Sequence, residues 1–417
     1  MTRNRGIPRI GPIVILLFTT LILFINPACD NEGEKPDVEN LQPLPPGMAV
    51  IYPFSERDPY EYGATETWTS RVFIACPHGS YKKLLLKAKT KIDHVTASPD
   101  GKYLAIVRRQ RSSGSKDRSI VSLLSLVDGE HKDVSSFDPL AYRITKPVDF
   151  SPDGGMIVFS AEDASVRKFV RMFIYDMEDN ELHKPEAFDH TMTLDDNPPQ
   201  FASNGWEILC MIKHYETSPY EYVRRLIAYD VNTDTYRELA EFSMDTKIGV
   251  PIEGPEGKYV YFDYIDLNWT NHRVVNRVPY DGGTPETIFE QQHVLYIVGF
   301  EPEEGKALLS YHIIRDTRQH YVATGNCEDG EVTLITKDEE DIKLFPGDGI
   351  EHLSPDKSLI LVHYHDLDYD YEDIMVMGLD GENRFNVSDT ATHDEAYAIW
   401  IDVPEGLKIP VGGYVVD

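Results

Sequence analysis

Short runs of alternating apolar and polar residues recur along the chain. At regular intervals, one of these runs follows a tight turn of the Ser-Pro-Asp-Gly type. Proline at the first corner, Asp or Asn next and glycine last reverse the chain within four residues, and the alternation that follows is typical of a β-strand. The pattern therefore predicts a β-hairpin at each turn. Six such turns end at residues spaced between 48 and 53 positions apart: Gly101, Gly154, Gly205, Gly257, Gly305 and Lys357.

Each repeat carries four such runs, of which the third ends in an Asp, Gly or Asn turn and the fourth is short. Four strands repeated about every 50 residues predict an all-β β-propeller. Residues 48–88 supply the second to fourth strands of a blade that lacks its first, and the turn ending at Gly406 continues the spacing near the C-terminus. We therefore predict seven four-stranded blades closed by the C-terminal strand, with six or eight blades as alternatives.

The strings SPDGKYLAI (98–106) and DIMVMGLDGENRFNVSD (373–389) resemble the repeats of TolB-like propellers, which also occur in the prolyl oligopeptidase family. This resemblance covers residues 47–417 and implies architecture alone. Residues 29–46 are too few for the α/β domain that precedes the propeller of TolB, so its role is not transferred. The sequence also lacks the G-x-S-x-G elbow of the peptidases.

The first 28 residues have the pattern of a cleaved export signal. Arg3, Arg5 and Arg9 precede an apolar stretch at 10–25, which is shorter than the ~20 residues of a membrane-spanning helix. Residues 29–46 are polar and proline-rich, without apolar periodicity, which predicts a flexible acidic tether. The predicted organisation is a signal peptide (1–28), the tether (29–46) and the propeller (47–417).

Ala28 and Cys29 resemble the end of the lipobox of bacterial lipoproteins, although Asn26 stands where that motif prefers leucine. The resemblance implies acylation of Cys29 and anchoring through an N-terminal lipid. It also implies an exported lipoprotein of the periplasm or outer membrane of a Gram-negative-type bacterium. The alternative is an ordinary secretory signal in which Cys29 has no special role.

Composition and charge narrow the possible partners. With 40 basic and 70 acidic residues the chain has a net charge of -30, which argues against nucleic-acid binding and favours solubility. Beyond Cys29 an odd number of widely spaced cysteines remains, so no disulfide framework is predicted. Cys76 and Cys210 lie within apolar runs, and we expect both in the core.

In a propeller, the loops between second and third strands and the connections to the next blade share one face, where ligands most often bind. The turns on the opposite face, rich in Asp and Gly, are expected to be structural. The loops of the first face combine aromatic and acidic residues, suited to a protein, peptide or glycan ligand, although each could equally be packing and solvated charge. The candidate ligand-binding residues are Tyr60, Glu61, Tyr62, Trp68, Tyr220, Glu221, Tyr222, Asp266, Trp269 and His272.

Blade seven carries weak metal-ligand candidates in its corresponding loop. Alternating carboxylates suit calcium, and two histidines two residues apart on a strand suit a transition metal, but the spacing of an EF-hand or zinc motif is missing. Solvated charge is the simpler interpretation, so we predict no cofactor and keep calcium as an alternative. These residues are His363, His365, Asp366, Asp368, Asp370 and Asp373.

No Walker A loop, dinucleotide-binding glycine motif or nucleophile elbow occurs in the sequence, which favours binding over catalysis. We expect a monomeric binding or scaffolding module of the cell envelope. The alternative is a metal-assisted polysaccharide lyase or hydrolase. It rests on the resemblance to TolB-like propellers, among which oligogalacturonate lyases use a histidine-bound metal in the channel.

Overall fold

The computed structural model describes residues 41–416, with internal gaps at 58–67, 111–117, 136–141, 145, 164–168, 196, 219–220, 267–272, 291–293, 301–304, 314–318, 335–348, 367–370, 380–382 and 389–397. The predicted signal peptide and residues 29–40 of the tether therefore lie outside the described residues. Within the described ranges, no helix has the length and apolar character needed to cross a membrane.

Seven small antiparallel sheets follow one another along the chain, one for each predicted blade. This confirms the all-β propeller and the count of seven. The strands of the first three blades and the segment before them are β1 (Leu41–Pro43), β2 (Gly47–Arg57), β3 (Trp68–Ala75), β4 (Lys82–Ala88), β5 (Lys91–Ala97), β6 (Tyr103–Gln110), β7 (Arg118–Ser125), β8 (His131–Asp133), β9 (Tyr142–Ile144), β10 (Asp149–Phe150), β11 (Met156–Asp163), β12 (Val170–Asp176) and β13 (Glu181–His183).

Blades four and five and the first part of blade six contain β14 (Met192–Leu194), β15 (Gln200–Phe201), β16 (Glu207–Ser218), β17 (Glu221–Asp230), β18 (Thr235–Phe242), β19 (Thr246–Ile248), β20 (Ile252–Glu253), β21 (Tyr259–Asp266), β22 (Arg273–Pro279), β23 (Glu286–Glu290) and β24 (Val294–Phe300). A short 3-10 turn covers Pro255–Gly257. The remaining strands are β25 (Lys306–Ile313), β26 (Gln319–Asn326), β27 (Val332–Leu334), β28 (Gly349–Leu353), β29 (Leu359–Asp366), β30 (Tyr371–Gly378), β31 (Phe385–Asn386), β32 (Ile399–Val403), β33 (Lys408–Pro410) and β34 (Tyr414–Val416).

Blade one is closed by C-terminal strands on both of its edges. Its sheet order is β32-β2-β3-β4-β34, in which β32 pairs antiparallel with β2 and β34 pairs parallel with β4. The hydroxyl of Tyr414 in β34 also donates to the carbonyl oxygen of Leu126 in blade two, at 2.9 Å. Closure by the C-terminus is therefore confirmed, and it leaves no open edge at β2.

Apolar residues of neighbouring sheets pack together to form the core. One cluster joins blade one, blade two and the C-terminal strands through residues such as Ile74, Leu86, Leu124 and Tyr414. Cys210 lies in the cluster between blades three and four, where burial raises the pKa of its thiol, whereas Cys76 is only partly buried. The core is thus divided among the blade interfaces, as expected of radially repeated sheets.

The Ser-Pro-Asp-Gly turns are built by side-chain hydrogen bonds, which confirms their structural role. In blade two, Ser98 Oγ donates to Asp100 at 2.7 Å and accepts the backbone N–H of Tyr103 at 2.9 Å. Gly101 has a φ of +68°, and a Cβ there would lie 2.0 Å from the carbonyl oxygen of Asp402. Blades three and seven repeat the serine-to-aspartate bond, at 2.6 Å between Ser151 and Asp153 and 2.7 Å between Ser354 and Asp356.

Candidate binding face

Four of the ten predicted ligand-binding residues lie within the described ranges, all at strand ends of one face, which we call the loop face: the end of the propeller that carries the second-to-third-strand loops. Trp68 begins β3, Glu221 and Tyr222 begin β17, and Asp266 ends β21. The other predicted residues lie outside the described residues: Tyr60, Glu61, Tyr62, Tyr220, Trp269 and His272.

Blade four has the longest hairpin of the propeller, formed by the 12 residues of β16 and the 10 residues of β17. Near its tip, Lys213 and Arg224 are paired across the two strands. Lys213 Nζ lies 2.5 Å from Oδ1 of Asp195, and Arg224 Nε donates to Oδ2 of the same carboxylate at 2.7 Å. Two cations therefore share one buried carboxylate, which fixes the hairpin to the segment that enters blade four.

An aromatic cluster lies directly on this ion network, and we call it the rim cluster: Phe169, Tyr215 and Tyr222. The Tyr215 and Tyr222 rings are 5.3 Å apart, and Phe169 at the start of β12 in blade three is 5.8 Å from Tyr215. All three side chains are partly exposed. The cluster therefore bridges two blades and presents aromatic surface on the loop face.

Cationic groups hold the rim cluster in position. The Arg224 guanidinium lies 5.1 Å from the centre of the Tyr222 ring and also donates to the Tyr222 hydroxyl, at 3.1 Å. In blade three, Arg171 lies 5.2 Å from the Phe169 ring and donates to the carbonyl oxygen of Met192 at 2.8 Å. These contacts reduce the freedom of the rings before any ligand arrives, which lowers the entropic cost of binding.

Protonation of the network follows from its burial and charge. Burial alone would raise the pKa of Asp195, but hydrogen bonds and attraction from Lys213 and Arg224 outweigh it and hold that pKa below its usual value. Burial raises the pKa of the Tyr215 hydroxyl. At neutral pH the Tyr215 phenol is therefore neutral, and the Asp195 carboxylate that contacts Lys213 and Arg224 is ionised.

Met244 adds an apolar neighbour to this region. Its side chain is 41% exposed, and its carbonyl oxygen accepts a hydrogen bond from Arg224. A methionine thioether is flexible and polarisable and adapts to differently shaped partners. The rim cluster and Met244 therefore add aromatic and apolar surface to the loop face, whereas Arg224, only 7% exposed, supports them from inside.

A smaller arrangement of the same kind joins blades one and two. Lys91 of blade two lies 4.9 Å from the centre of the Trp68 ring in blade one. Beside it, Arg109 donates to Asp93 at 3.0 Å. In blade one and in blade four, an aromatic residue near the start of the third strand therefore contacts a cationic side chain at the loop face.

In blade seven, His363, His365 and Asp366 belong to β29 and Asp373 to β30, whereas Asp368 and Asp370 lie outside the described residues. The buried carboxylate of Asp373 accepts hydrogen bonds from Asn386 Nδ2 at 2.9 Å and Ser388 Oγ at 3.0 Å. Asp373 therefore ties the third strand to the segment that follows it. Over the described ranges, no group of three His, Cys, Asp or Glu side chains could hold a metal ion.

Asp149 on the inner strand of blade three is a second carboxylate with an altered pKa. Burial raises the pKa of Asp149 to about 7, although its Oδ2 accepts the backbone N–H of Phe201 at 2.7 Å. That bond joins the inner strands of blades three and four. Asp149 is therefore a structural link whose protonation changes near neutral pH.

Sequence reasoning missed much of the rim cluster and its support. Phe169 lies at the boundary of a loop and a strand, where no repeat pattern singles it out, and Asp195 lies between the two short inner strands of blade four, β14 and β15. Lys213 and Arg224 look like ordinary strand residues until the register brings them opposite each other. Only the YETSPYEY segment, with Tyr215 and Tyr222 at its two ends, indicated the region.

Comparison with known proteins identifies structures of the same fold, but it finds no protein with a similar sequence. No family model and no curated protein matches the chain. Among solved structures, an oligogalacturonate lyase in complex with manganese is similar with a TM-score of 0.55 at 12% identity, over 87% of this chain and 100% of that one. The β-propeller domain of the Trilobed protease from Pyrococcus furiosus, which has an open velcro topology, gives 0.51 at 12% identity, over 78% and 99%.

TolB from Acinetobacter baumannii gives a TM-score of 0.47 at 15% identity, over 85% of this chain and 66% of the TolB chain. This chain therefore spans about two thirds of TolB and the whole of the lyase. The class that the fold defines is the seven-bladed β-propeller, which is consistent with the TolB-like repeats of the sequence. At these identities the similarity shows the fold alone.

Proposed function

We propose that the protein is a binding module that captures a partner through the rim cluster on its loop face. The observation that carries the proposal is the preorganised group of Phe169, Tyr215 and Tyr222 above the Asp195 ion network. Tyrosine and arginine are enriched at the energetic centres of protein interfaces. A peptide or protein segment therefore fits this surface best, and a glycan is the second possibility.

The place of action is proposed from the N-terminal sequence. Arg3, Arg5 and Arg9 before the apolar stretch, and Ala28 before Cys29, support export and lipid anchoring in the envelope of a Gram-negative-type bacterium. A tethered propeller of this kind would bind or scaffold another envelope component. Mass analysis of the N-terminal peptide tests this part: diacylglycerol on Cys29 is expected, and an unmodified cysteine in the mature protein would contradict it.

The alternative is a metal-assisted lyase or hydrolase acting on a glycan. It is supported by the similar architecture of the oligogalacturonate lyase that binds manganese. Metal analysis of the purified protein separates the two functions. Stoichiometric, tightly bound transition metal together with cleavage of oligogalacturonate would favour the lyase and contradict a function limited to binding.

Affinity capture from native envelope extract tests the binding surface. We expect the double substitution Tyr215→Ala with Tyr222→Ala to lower recovery of the specific partner at least about tenfold, since central aromatic residues often contribute 2 kcal/mol or more each. Tyr236→Ala is the matched control, because Tyr236 begins the fourth strand of the same blade, contacts an aromatic ring and is also half-buried, but lies at the opposite face.

Equal recovery by the double variant and the parent protein would show that the rim cluster is not the binding surface. A glycan array with the same three proteins distinguishes the ligand classes. Signal that disappears in the double variant but persists in Tyr236→Ala would identify a glycan, and its absence alongside a captured protein would identify a peptide or protein ligand.

A further inference from the structure

The acidic chain contains a long basic segment near its N-terminal end. Residues 67–92 include six basic side chains and no acidic one, although the whole chain has 70 acidic residues among 417. Five of the six are lysines between positions 82 and 91. Residues 406–416, at the other end of the chain, also lack any acidic side chain and contain Lys408.

The fold brings these two segments together at the outer edge of blade one. The basic segment forms β3 and β4, and the C-terminal segment adds β34 beside β4. Lys87 is paired with Val415, and paired residues of adjacent strands lie on the same side of the sheet. We call this surface the blade-one edge and define it by Lys87, Lys89, Val411 and Val415.

The blade-one edge combines positive charge with exposed apolar side chains. Lys87 and Lys89 are exposed, and Val411 and Val415 are 60% and 58% exposed. On the other side of the same strands, Leu86, Tyr414 and Val416 are buried in the core shared with blade two. The valines are therefore not needed for packing within the blade, and they remain available to a partner.

The N-terminal segment enters the propeller next to this edge. Leu41, itself 37% exposed, begins β1, which pairs with β33 immediately before Val411. Residues 30–40 separate Leu41 from Cys29, a span of about 40 Å at most at about 3.3–3.6 Å per residue. A membrane anchor at Cys29 would therefore keep Leu41, which lies beside the blade-one edge, within about 40 Å of the bilayer.

We propose that the blade-one edge docks on an anionic lipid surface, with its lysines at the headgroups and Val411 and Val415 in the interface. A second copy of the chain fits less well, because symmetric pairing through this edge would bring its lysines together. The net charge of -30 repels an anionic membrane from other directions, so docking through this basic edge also fixes the orientation. The inference depends on the proposed lipid anchor only for the side of the propeller that faces the membrane. The charge and the exposed valines of the edge do not depend on the anchor.

Depth-dependent tryptophan quenching tests the contact. The full chain, purified from its native membrane, is reconstituted with phosphatidylcholine vesicles with or without phosphatidylglycerol, each containing brominated phospholipid. The probe is Val415→Trp, and the matched control is Val127→Trp, since Val127 is 65% exposed in a turn of blade two. Each is compared with the parent protein, which supplies the background from its own tryptophans.

We expect bromine quenching at position 415 in the anionic vesicles and little at position 127. The double substitution Lys87→Glu with Lys89→Glu should weaken the quenching at least about fivefold, since a lysine near an anionic surface contributes about a factor of five. Lys184→Glu, an exposed lysine of blade three, should leave it unchanged.

Equal quenching at both positions, or quenching that the double charge reversal leaves unaltered, would overturn the proposal. A concentration-dependent dimer that Val415→Glu abolishes, with no bromine quenching, would also overturn it and assign the edge to self-association. If mass analysis finds no lipid on Cys29, the protein is added to preformed vesicles, and the difference between positions 415 and 127 is still required. Failure of the anchor is thus distinguishable from failure of the edge.

Discussion

Arg224 donates its Nε hydrogen to Oδ2 of Asp195 at 2.7 Å, and this bond joins the third strand of blade four to the segment that enters the blade. Both side chains are nearly buried, with exposed fractions of 9% and 6%. The same guanidinium contacts the Tyr222 ring. The stability of blade four and the position of the candidate binding surface therefore depend on one carboxylate.

We predict that Asp195→Ala lowers the free energy of unfolding by about 3 kcal/mol, because it leaves two buried cations without their counter-ion. Denaturant unfolding measures the change. Glu56→Ala is the control: its pair with Arg71 is 47% and 36% exposed, and surface pairs contribute about 0–1 kcal/mol. Equal losses in the two variants would contradict the importance assigned to Asp195.

A second prediction concerns pH. The pKa of Asp149 is raised to about 7 in the folded protein, whereas an unfolded aspartate titrates near 3.9. The folded state therefore binds more protons between these values, and stability falls as pH rises from about 4 to about 7. Asp149→Asn removes this dependence, so the variant should gain stability relative to the parent protein over that range.

The control for the pH experiment is an aspartate whose pKa is lowered, so its contribution to stability changes with pH in the opposite direction. Hydrogen bonds from Ser151 and from the backbone of Gly155 lower the pKa of Asp153, so its stabilising effect is present above the unfolded pKa and is lost as pH falls through the folded one. Asp153→Asn should therefore lose stability relative to the parent protein as pH rises from acid. The same pH dependence in both variants would contradict the assignment for Asp149.

The hinge turn of blade seven should tolerate a stabilising substitution. Lys357 has a φ of +59°, a left-handed conformation that other hinge turns give to glycine. We expect Lys357→Gly to raise the free energy of unfolding by about 0.5–1 kcal/mol, because a side chain is strained there. Gly154→Lys, at a φ of +75° where a Cβ would make only ordinary van der Waals contacts with Pro99 and Ser98, should lower it by a similar amount. Thermal unfolding checks both, and equal signs would contradict the argument.

The fold was predictable from the sequence because each blade repeats the same local chemistry. Hinge turns rich in Ser, Pro, Asp, Glu and Gly, followed by alternation, locate the first and second strands of the blades without reference to distant residues. Even closure followed from counting, since β2 had no inner partner nearby and the turn at Gly406 continued the spacing. The sequence did not predict that β34 covers the outer edge of blade one, because this strand is additional to the four strands of the repeat.

The candidate site was only partly predictable because it depends on contacts between blades. Tyr222 was found from its loop, but Phe169 reaches the cluster from blade three, and Asp195 supports it from between the two short inner strands of blade four. Lys213 and Arg224 became significant only through the strand register. Asp373 was singled out as a metal-ligand candidate from its sequence neighbours alone. In the structure its carboxylate accepts hydrogen bonds from Asn386 and Ser388, which the sequence pattern did not indicate.

Site-directed photo-crosslinking in living cells tests the central claim most directly. A benzophenone amino acid is placed at Tyr222 in one protein and at Tyr236, on the opposite face of the same blade, in another. The account predicts a discrete higher-mass adduct after irradiation at position 222 and none at position 236. The same adducts from both positions, or none from position 222 in cells that retain the folded protein, would contradict it.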